Sequence, residues 1–269
     1  MDLGLNGRVA IVTGASRGIG AATTAALLRE GCEVLAVARG AEALQAISGV
    51  LGPEEDHREP AGRVVPFAAD VTAPDGPTSI IAACIEAFGR VDVLVNNAGG
   101  AEPRRLDRLD DEAWRAAFEL NFFAAVRMSA AALPEMRARR WGRLVHVASV
   151  SGREPDPLFA PYSAAKAAML NYSTSLSQAY AADGVLSSCV VPGVTLTELV
   201  ADNASAASAR LGSSPDEVMA TMLQRHRVAA GRFGEVDEVA AAIVFLASER
   251  ASWITGATLE VDGGTLRSV

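Results

Sequence analysis

With 269 residues, of which 50% are hydrophobic, the chain can bury a sizeable core as one large α/β domain or two small ones. A formal net charge of −8 argues against nucleic acid and anionic membrane surfaces as partners. The start, MDLGLNGRVAIVTG, carries an acid at position 2 and no long apolar run, so no signal peptide or membrane span is expected and the protein is assigned to the cytoplasm. Cys32, Cys84 and Cys189 have no pairing spacing, and with His57, His146 and His226 they have no metal-ligand spacing, so no metal is expected.

Apolar runs of strand length fall at 9–12, 34–38, 63–68, 91–95, 144–148, 186–191 and 258–261, with helical patterns between them. Several show no polar alternation, which predicts an α/β fold: a seven-stranded parallel sheet, doubly wound, with helices burying both faces. No linker, repeat or shift in composition divides the chain, so 1–269 is read as a single domain.

The first strand runs into Thr13-Gly14-Ala15-Ser16-Arg17-Gly18-Ile19-Gly20 and then a helix over 21–30. Strand, glycine turn and helix aim backbone N–H groups and the positive helix end at a phosphate. Taken alone, the same glycines fit a purely structural turn, and their G-x-x-x-G-x-G spacing differs from the common dinucleotide fingerprint. The second strand ends at Arg39, without the carboxylate that would hold a ribose 2′-hydroxyl. Residues 52–62, GPEEDHREPAG, read as a solvated loop at the sheet edge. Asp70, followed by Val71, closes the third strand, where a side chain can reach an adenine. Asn96-Asn97-Ala98-Gly99 closes the fourth, at the carboxyl end where doubly wound sheets bind ligands.

Trp114, Ala117, Phe118, Asn121, Phe122, Ala125, Val126 and Ser129 share one face of the next helix. Asn121 therefore enters a buried stripe, where its amide must find partners, either in neighbouring backbone or in a proton relay. Ser149 follows the fifth strand, and Tyr162 precedes Lys166 by four residues, one helical turn. Lys166 is the only lysine among 24 basic residues. An amine beside a phenol stabilises the phenolate, and a serine at a strand end can donate to a substrate oxygen. Tyrosine as proton donor, serine as polariser and lysine as tuner describe carbonyl reduction or alcohol oxidation. Beyond the sixth strand, residues 196–227 are loosely patterned and are read either as a mobile substrate lid or as a plain helix–loop–helix excursion. Val150, Arg153, Leu158, Phe159 and Leu199 are the substrate-facing candidates, with Arg153 the one able to meet an anion.

Taken together, these motifs resemble the short-chain dehydrogenase/reductase family in its compact form. Thr13, Gly14, Gly18 and Gly20 match its T-G-x-x-x-G-x-G motif, Asn96 to Gly99 its N-N-A-G motif, and Asn121, Ser149, Tyr162 and Lys166 its catalytic tetrad. Pro192-Gly193 and Thr197 match the segment that lies along the nicotinamide, and Asp262-Gly263-Gly264 the usual ending. The resemblance implies that Thr13, Gly14, Ser16, Arg17, Gly18, Ile19, Gly20, Arg39, Asp70, Val71, Asn97, Ala98, Gly99, Tyr162, Lys166, Pro192, Gly193, Thr195 and Thr197 contact the cofactor. It also implies that Lys166 lowers the Tyr162 pKa and holds the ribose, and that the Asn121 helix anchors a relay water. Residues 52–62 look longer than the family's loop, and Glu235–Glu238 lacks the family's proline. The missing acid, with Arg17 and Arg39 in place, favours NADP(H) over NAD(H). Small residues opposite Tyr162 on its helix (Ala164, Ala165, Ala167, Ala168, Asn171, Ser175) suggest a homotetramer or homodimer. The leading function is an NADP(H)-dependent oxidoreductase interconverting a small-molecule ketone and secondary alcohol. The competing readings are a non-catalytic nucleotide-binding regulator of the same fold and an NAD-dependent alcohol dehydrogenase.

Overall fold

The computed structural model describes residues 2–50 and 62–267, apart from the side chains of 47–50 and 211. The loop expected over 52–62 therefore lies, through residue 61 and with His57, outside the described residues. In chain order the elements are β1 (Val9–Thr13), α1 (Gly18–Arg29), β2 (Glu33–Ala38), α2 (Ala41–Val50), β3 (Val64–Ala68), α3 (Gly76–Phe88), β4 (Val93–Asn96), α4 (Asp111–Phe118), a π-helical turn (Glu119–Phe123) and α5 (Ala124–Ala138). There follow β5 (Gly142–Val147), α6 (Ala160–Tyr180), β6 (Val185–Pro192), β7 (Thr195–Leu196), α7 (Glu198–Leu211), α8 (Pro215–His226), β8 (Gly234–Glu235), α9 (Val236–Ala247) and β9 (Thr258–Val261).

Seven strands form one sheet in the order β3-β2-β1-β4-β5-β6-β9, every pair parallel. Each of the seven runs expected from sequence is in it. The register sets Val12 against Ala36 and Val95, so apolar rows cross the sheet. Successive strand residues point to opposite faces. Val12, Val34, Val93, Val145 and Val190 pack toward α1 and α9. Ile11, Leu35, Leu94 and Leu144 pack toward α3, α5 and α6. The central strands are buried along their whole length, which explains why their sequences lack alternation. β7 and β8 pair separately, below the chain segment that leads into α7.

The two ends of the sheet differ chemically. At the amino ends, buried Asp92 accepts from Val9 N at 3.0 Å and pairs with Arg90 at 2.5 Å, while Trp141 lies between the guanidiniums of Arg8 and Arg143. Glu249 joins them, pairing with Arg8 and Arg143 and accepting from Trp141 Nε1, while Arg143 Nε is left without a partner among the described residues. The carboxyl ends are built of glycines and short polar side chains, and strand order reverses there between β1 and β4, which opens a crevice. The helical run 111–138 is long and apolar enough to cross a membrane, but Met128, Ala132, Leu133 and Met136 pack it onto the sheet.

Candidate active site

Asn121, Ser149, Tyr162 and Lys166 come together at the carboxyl ends of β4 and β5. Ser149 caps the short turn Val150–Gly152 by accepting from Ser151 N at 3.1 Å, and it lies near enough to Tyr162 for its hydroxyl to act toward lowering the phenol's pKa. Pro161 lies in the first turn of α6, where a missing N–H is harmless. One turn on, Lys166 is 4% exposed, its Nζ donates to Val147 O at 2.7 Å and it lies 5.6 Å from the Tyr162 ring centre. A Cβ on Gly99 would stand 2.8 Å from Asn121 Oδ1 and 3.4 Å from Lys166 Nζ, so these two residues flank the same glycine.

The Asn121 side chain finds its partners in neighbouring backbone. Its Nδ2 donates to Gly100 O at 2.9 Å and Ala117 O at 3.0 Å, and its Oδ1 accepts from Gly100 N at 3.0 Å. It clasps the loop after β4 from within the π-helical turn, a distortion often found at functional sites. The regular helical stripe expected over 114–129 is interrupted there.

Burial raises the Tyr162 pKa, and the hydrogen bond from Ser149 opposes this in part. Burial lowers Lys166 to about 8. The lysine was expected to pull the phenol down, but in the cofactor-free protein Tyr162 stands above its ordinary value. The cause is the burial of the phenol itself, and the Lys166 amine, which donates to Val147 O, is not among the groups that lower it. Behind it, fully buried His146 is pushed down to about 3 by desolvation and by the Lys166 charge. Asn96 Nδ2 lies 3.2 Å from His146 Nδ1, and His146 Nε2 is buried without a partner among the described residues. Sequence reading passed His146 over because a lone histidine in a strand carries no spacing signal.

The glycine turn fits a dinucleotide diphosphate. Among the described residues, none of the backbone N–H groups of Ser16, Arg17, Gly18, Ile19 and Gly20 has an acceptor, and the first turn of α1 holds no acid. A Cβ on Gly20 would stand 2.2 Å from Gly14 O, so a side chain there would break the turn. Thr197, the N-cap of α7, reaches this turn, because a Cβ on Gly18 would lie 3.2 Å from its methyl. Thr13 corrects the expectation of a direct contact: its buried hydroxyl donates to Val95 O and accepts from Asn97 N and Ala98 N. One donor and two lone pairs are all in use, so it ties β1 to the loop after β4 and has no capacity left for a ligand. Asn97 Nδ2 holds the turn itself, through Thr13 O at 2.8 Å and Gly14 O at 3.2 Å.

Arg17 and Arg39 are exposed at the mouth of this crevice. Asp70, its pKa lowered by hydrogen bonds from Thr72 and by the Arg39 charge, and Val71 complete the side under β2 and β3. Pro192 ends β6, Gly193 closes on Asp262, and Thr195 Oγ1 turns to Gly193 O at 3.3 Å. Of the substrate-facing candidates, Val150 lines a cavity, while Arg153 pairs with Glu260 at 3.0 Å.

A parallel sheet with a phosphate-ready glycine turn beside a serine, tyrosine and lysine defines a dinucleotide-dependent oxidoreductase. Residues 8–208 match the family model of short chain dehydrogenase. The chain is 37% identical over 262 residues to 3-oxoacyl-(acyl-carrier-protein) reductase FabG of Vibrio cholerae, covering 97% of this chain and 98% of that one. To the cis-4-hydroxycyclohexanecarboxylate dehydrogenase of Sinomonas cyclohexanicum it is 38% identical, covering 96% of each. The crystal structure of L-sorbose reductase from Gluconobacter frateurii, complexed with NADPH and L-sorbose, superposes with a TM-score of 0.93 at 33% identity over 100% of both chains. The chain belongs to the short-chain dehydrogenase/reductase family and is an NAD(P)-dependent oxidoreductase acting on CH–OH groups.

Proposed function

We propose that this protein reduces a ketone to a secondary alcohol with NADPH, and reverses the reaction when alcohol and NADP+ are in excess. The observation that carries the reading is the meeting of Ser149, Tyr162 and Lys166 beside a glycine turn with unpartnered N–H groups. The turn would hold the diphosphate, and Arg17 and Arg39 the 2′-phosphate. NADPH is also the cofactor bound in the L-sorbose reductase structure.

When bound, the reduced nicotinamide supplies hydride to the carbonyl carbon. Ser149 donates a hydrogen bond to the carbonyl oxygen, and Tyr162 delivers its phenolic proton to that oxygen as negative charge grows there. Lys166 restores the proton to Tyr162 and binds the ribose hydroxyls. Asn121 fixes the loop at Gly100 that shapes the nicotinamide side, and Thr197 with α7 and α8 closes over the substrate as a lid. We take the protein to act in the cytoplasm as a homodimer or homotetramer. Ala167, Asn171 and Ser175 of α6 are exposed for such pairing, whereas Ala165 packs inward. A monomeric mass by light scattering at micromolar concentration would contradict that state.

Relatives named for 3-oxoacyl thioesters, a hydroxycyclohexanecarboxylate and L-sorbose define the first panel: a 3-oxoacyl thioester, 4-oxocyclohexanecarboxylate and L-sorbose, with NADPH and NADH compared by loss of reduced-cofactor fluorescence. Turnover of a ketone supports the reading. Tight cofactor binding with no turnover of any carbonyl would favour a regulatory nucleotide-binding protein instead.

A further inference from the structure

A cavity of about 320 Å³ opens beside Ser149, with Val150 and Ser151 in its lining. Ser151 donates its N–H to the Ser149 hydroxyl at 3.1 Å, so the cavity wall touches the side chain assigned to the carbonyl oxygen. Three arginines line it from two separate segments. Arg225 and Arg227 come from the end of α8, and Arg267 from the strand-following C-terminal stretch.

Their charge is not balanced. Of the two acids in the lining, Glu154 and Asp156, Asp156 is engaged by Arg225 at 2.5 Å. Arg227 and Arg267, both exposed, make no ion pair and no side-chain hydrogen bond among the described residues, so the lining holds two unpaired arginines and one unpaired acid, Glu154. His226 adds no charge at neutral pH, since burial and Arg225 lower its pKa.

The backbone gives a second, independent sign. Arg227 caps α8 in the left-handed region at φ 50, where glycine or asparagine sits with less strain. Arg140, the other non-glycine residue with positive φ among those described, puts its guanidinium on Ala182 O at 3.0 Å. The Arg227 backbone closes α8, with its own N–H reaching Gln224 O at 3.2 Å and that of Val228 reaching Leu223 O at 3.4 Å, but its guanidinium has no such use among the described residues. Complementing the helix dipole does not explain it, because Arg225 already supplies a cation to that turn. Strained residues of this kind gather at ligand sites.

We infer that this cavity is a substrate subsite for an anionic group, a carboxylate or phosphate, held by Arg227 and Arg267 while the ketone carbonyl lies at Ser149 and Tyr162. The inference rests on the ketone-reductase reading and narrows it to ketones that carry a remote negative charge. Guanidinium's planar fork matches either oxyanion.

The test compares 4-oxopentanoate and 6-oxoheptanoate with their methyl esters, and 5-hydroxypentan-2-one with its phosphate ester. Turnover with NADPH is measured, and binding to the protein with and without NADP+ is measured by calorimetry. The charged member of at least one pair should bind and turn over about 10-fold or more better than its neutral partner, as expected for a charge-assisted contact. That ratio should fall about 10-fold in Arg227→Gly with Arg267→Ala and in 0.5 M salt. Arg227→Gly relieves the left-handed backbone, so folding is retained. Arg115→Ala, on α4 and 79% exposed, should leave the ratio unchanged. Equal affinity for charged and neutral members of every pair, or a preference that survives the double variant, overturns the inference. Arginine-dependent binding of an anion without any turnover keeps the subsite and removes the reductase reading.

Discussion

Lys166→Met is expected to stabilise the cofactor-free protein while abolishing its activity. The amine is 4% exposed, and burial takes its pKa from 10.5 to about 8. At about 1.4 kcal/mol per pH unit, holding the ammonium in the native state costs about 3 kcal/mol at neutral pH. Methionine keeps the length of the chain and removes the charge. Against this gain stands the hydrogen bond to Val147 O at 2.7 Å, a charge-assisted bond of about 1.5–3 kcal/mol. The difference favours the variant by at most about 1.5 kcal/mol, or a few °C in Tm for a chain of this size. The sign with pH follows from the lowered value. Below pH 8 both folded and unfolded chains are protonated and the native state carries the whole cost. Between about 8 and 10.5 the unfolded chain alone holds the proton, so wild-type stability rises with pH. The advantage of Lys166→Met is therefore largest near pH 6.5 and shrinks by pH 9.5, a range that stays below the raised Tyr162 pKa. Urea denaturation of both proteins at pH 6.5, 8 and 9.5 reads this directly. A variant less stable than wild type at pH 6.5, or an advantage that does not change with pH, would refute the reasoning.

Tyr162→Phe should lower turnover by about 10²-fold or more while leaving the NADPH dissociation constant within a few-fold, since it removes the proton donor and nothing from the turn; near-normal turnover would remove Tyr162 from the chemistry. Lys166→Arg should be nearly as damaging, because a planar guanidinium is too large for a 4% exposed site against Val147 O and does not release a proton at working pH; retention of most activity would reduce Lys166 to a positive charge. Arg39→Ala should raise KM for NADPH about 10-fold and leave KM for NADH nearly unchanged, measured by initial rates, and an equal effect on both cofactors would place Arg39 elsewhere. Gly20→Ala should abolish cofactor binding by fluorescence titration, because its Cβ would stand 2.2 Å from Gly14 O and 2.5 Å from Asn97 Nδ2.

The sheet was legible because the strands are buried on both faces, and a run such as Val93-Leu94-Val95 can lie nowhere else. Their ends were read less well. β5 begins at Gly142, two residues before its apolar run, because Gly142 and Arg143 still pair with Val185 and Leu186 and pairing is a property of backbone. The glycine turn and the tetrad were legible because each needs particular residue types at fixed spacing. What sequence could not carry was saturation. That Thr13 and Asn97 use their polar atoms on the turn itself, and that Arg153 is held by Glu260 while Arg227 and Arg267 are not, depends on contacts between segments far apart in the chain. The π-helical turn was hidden for a related reason: Asn121 takes both Ala117 O and Gly100 O, and only the second of these, from outside the helix, requires the distortion.

The protonation states of the cofactor-free site follow from burial. In this protein burial holds Tyr162 protonated, and the Ser149 hydroxyl at its oxygen does not reverse that. Lys166, near 8, is mostly protonated at neutral pH yet close enough to its midpoint to release a proton at little cost. Tyr162 and Lys166 thus both carry their protons at neutral pH in the cofactor-free protein. His146, held neutral behind them, adds no competing positive charge beside the Lys166 ammonium.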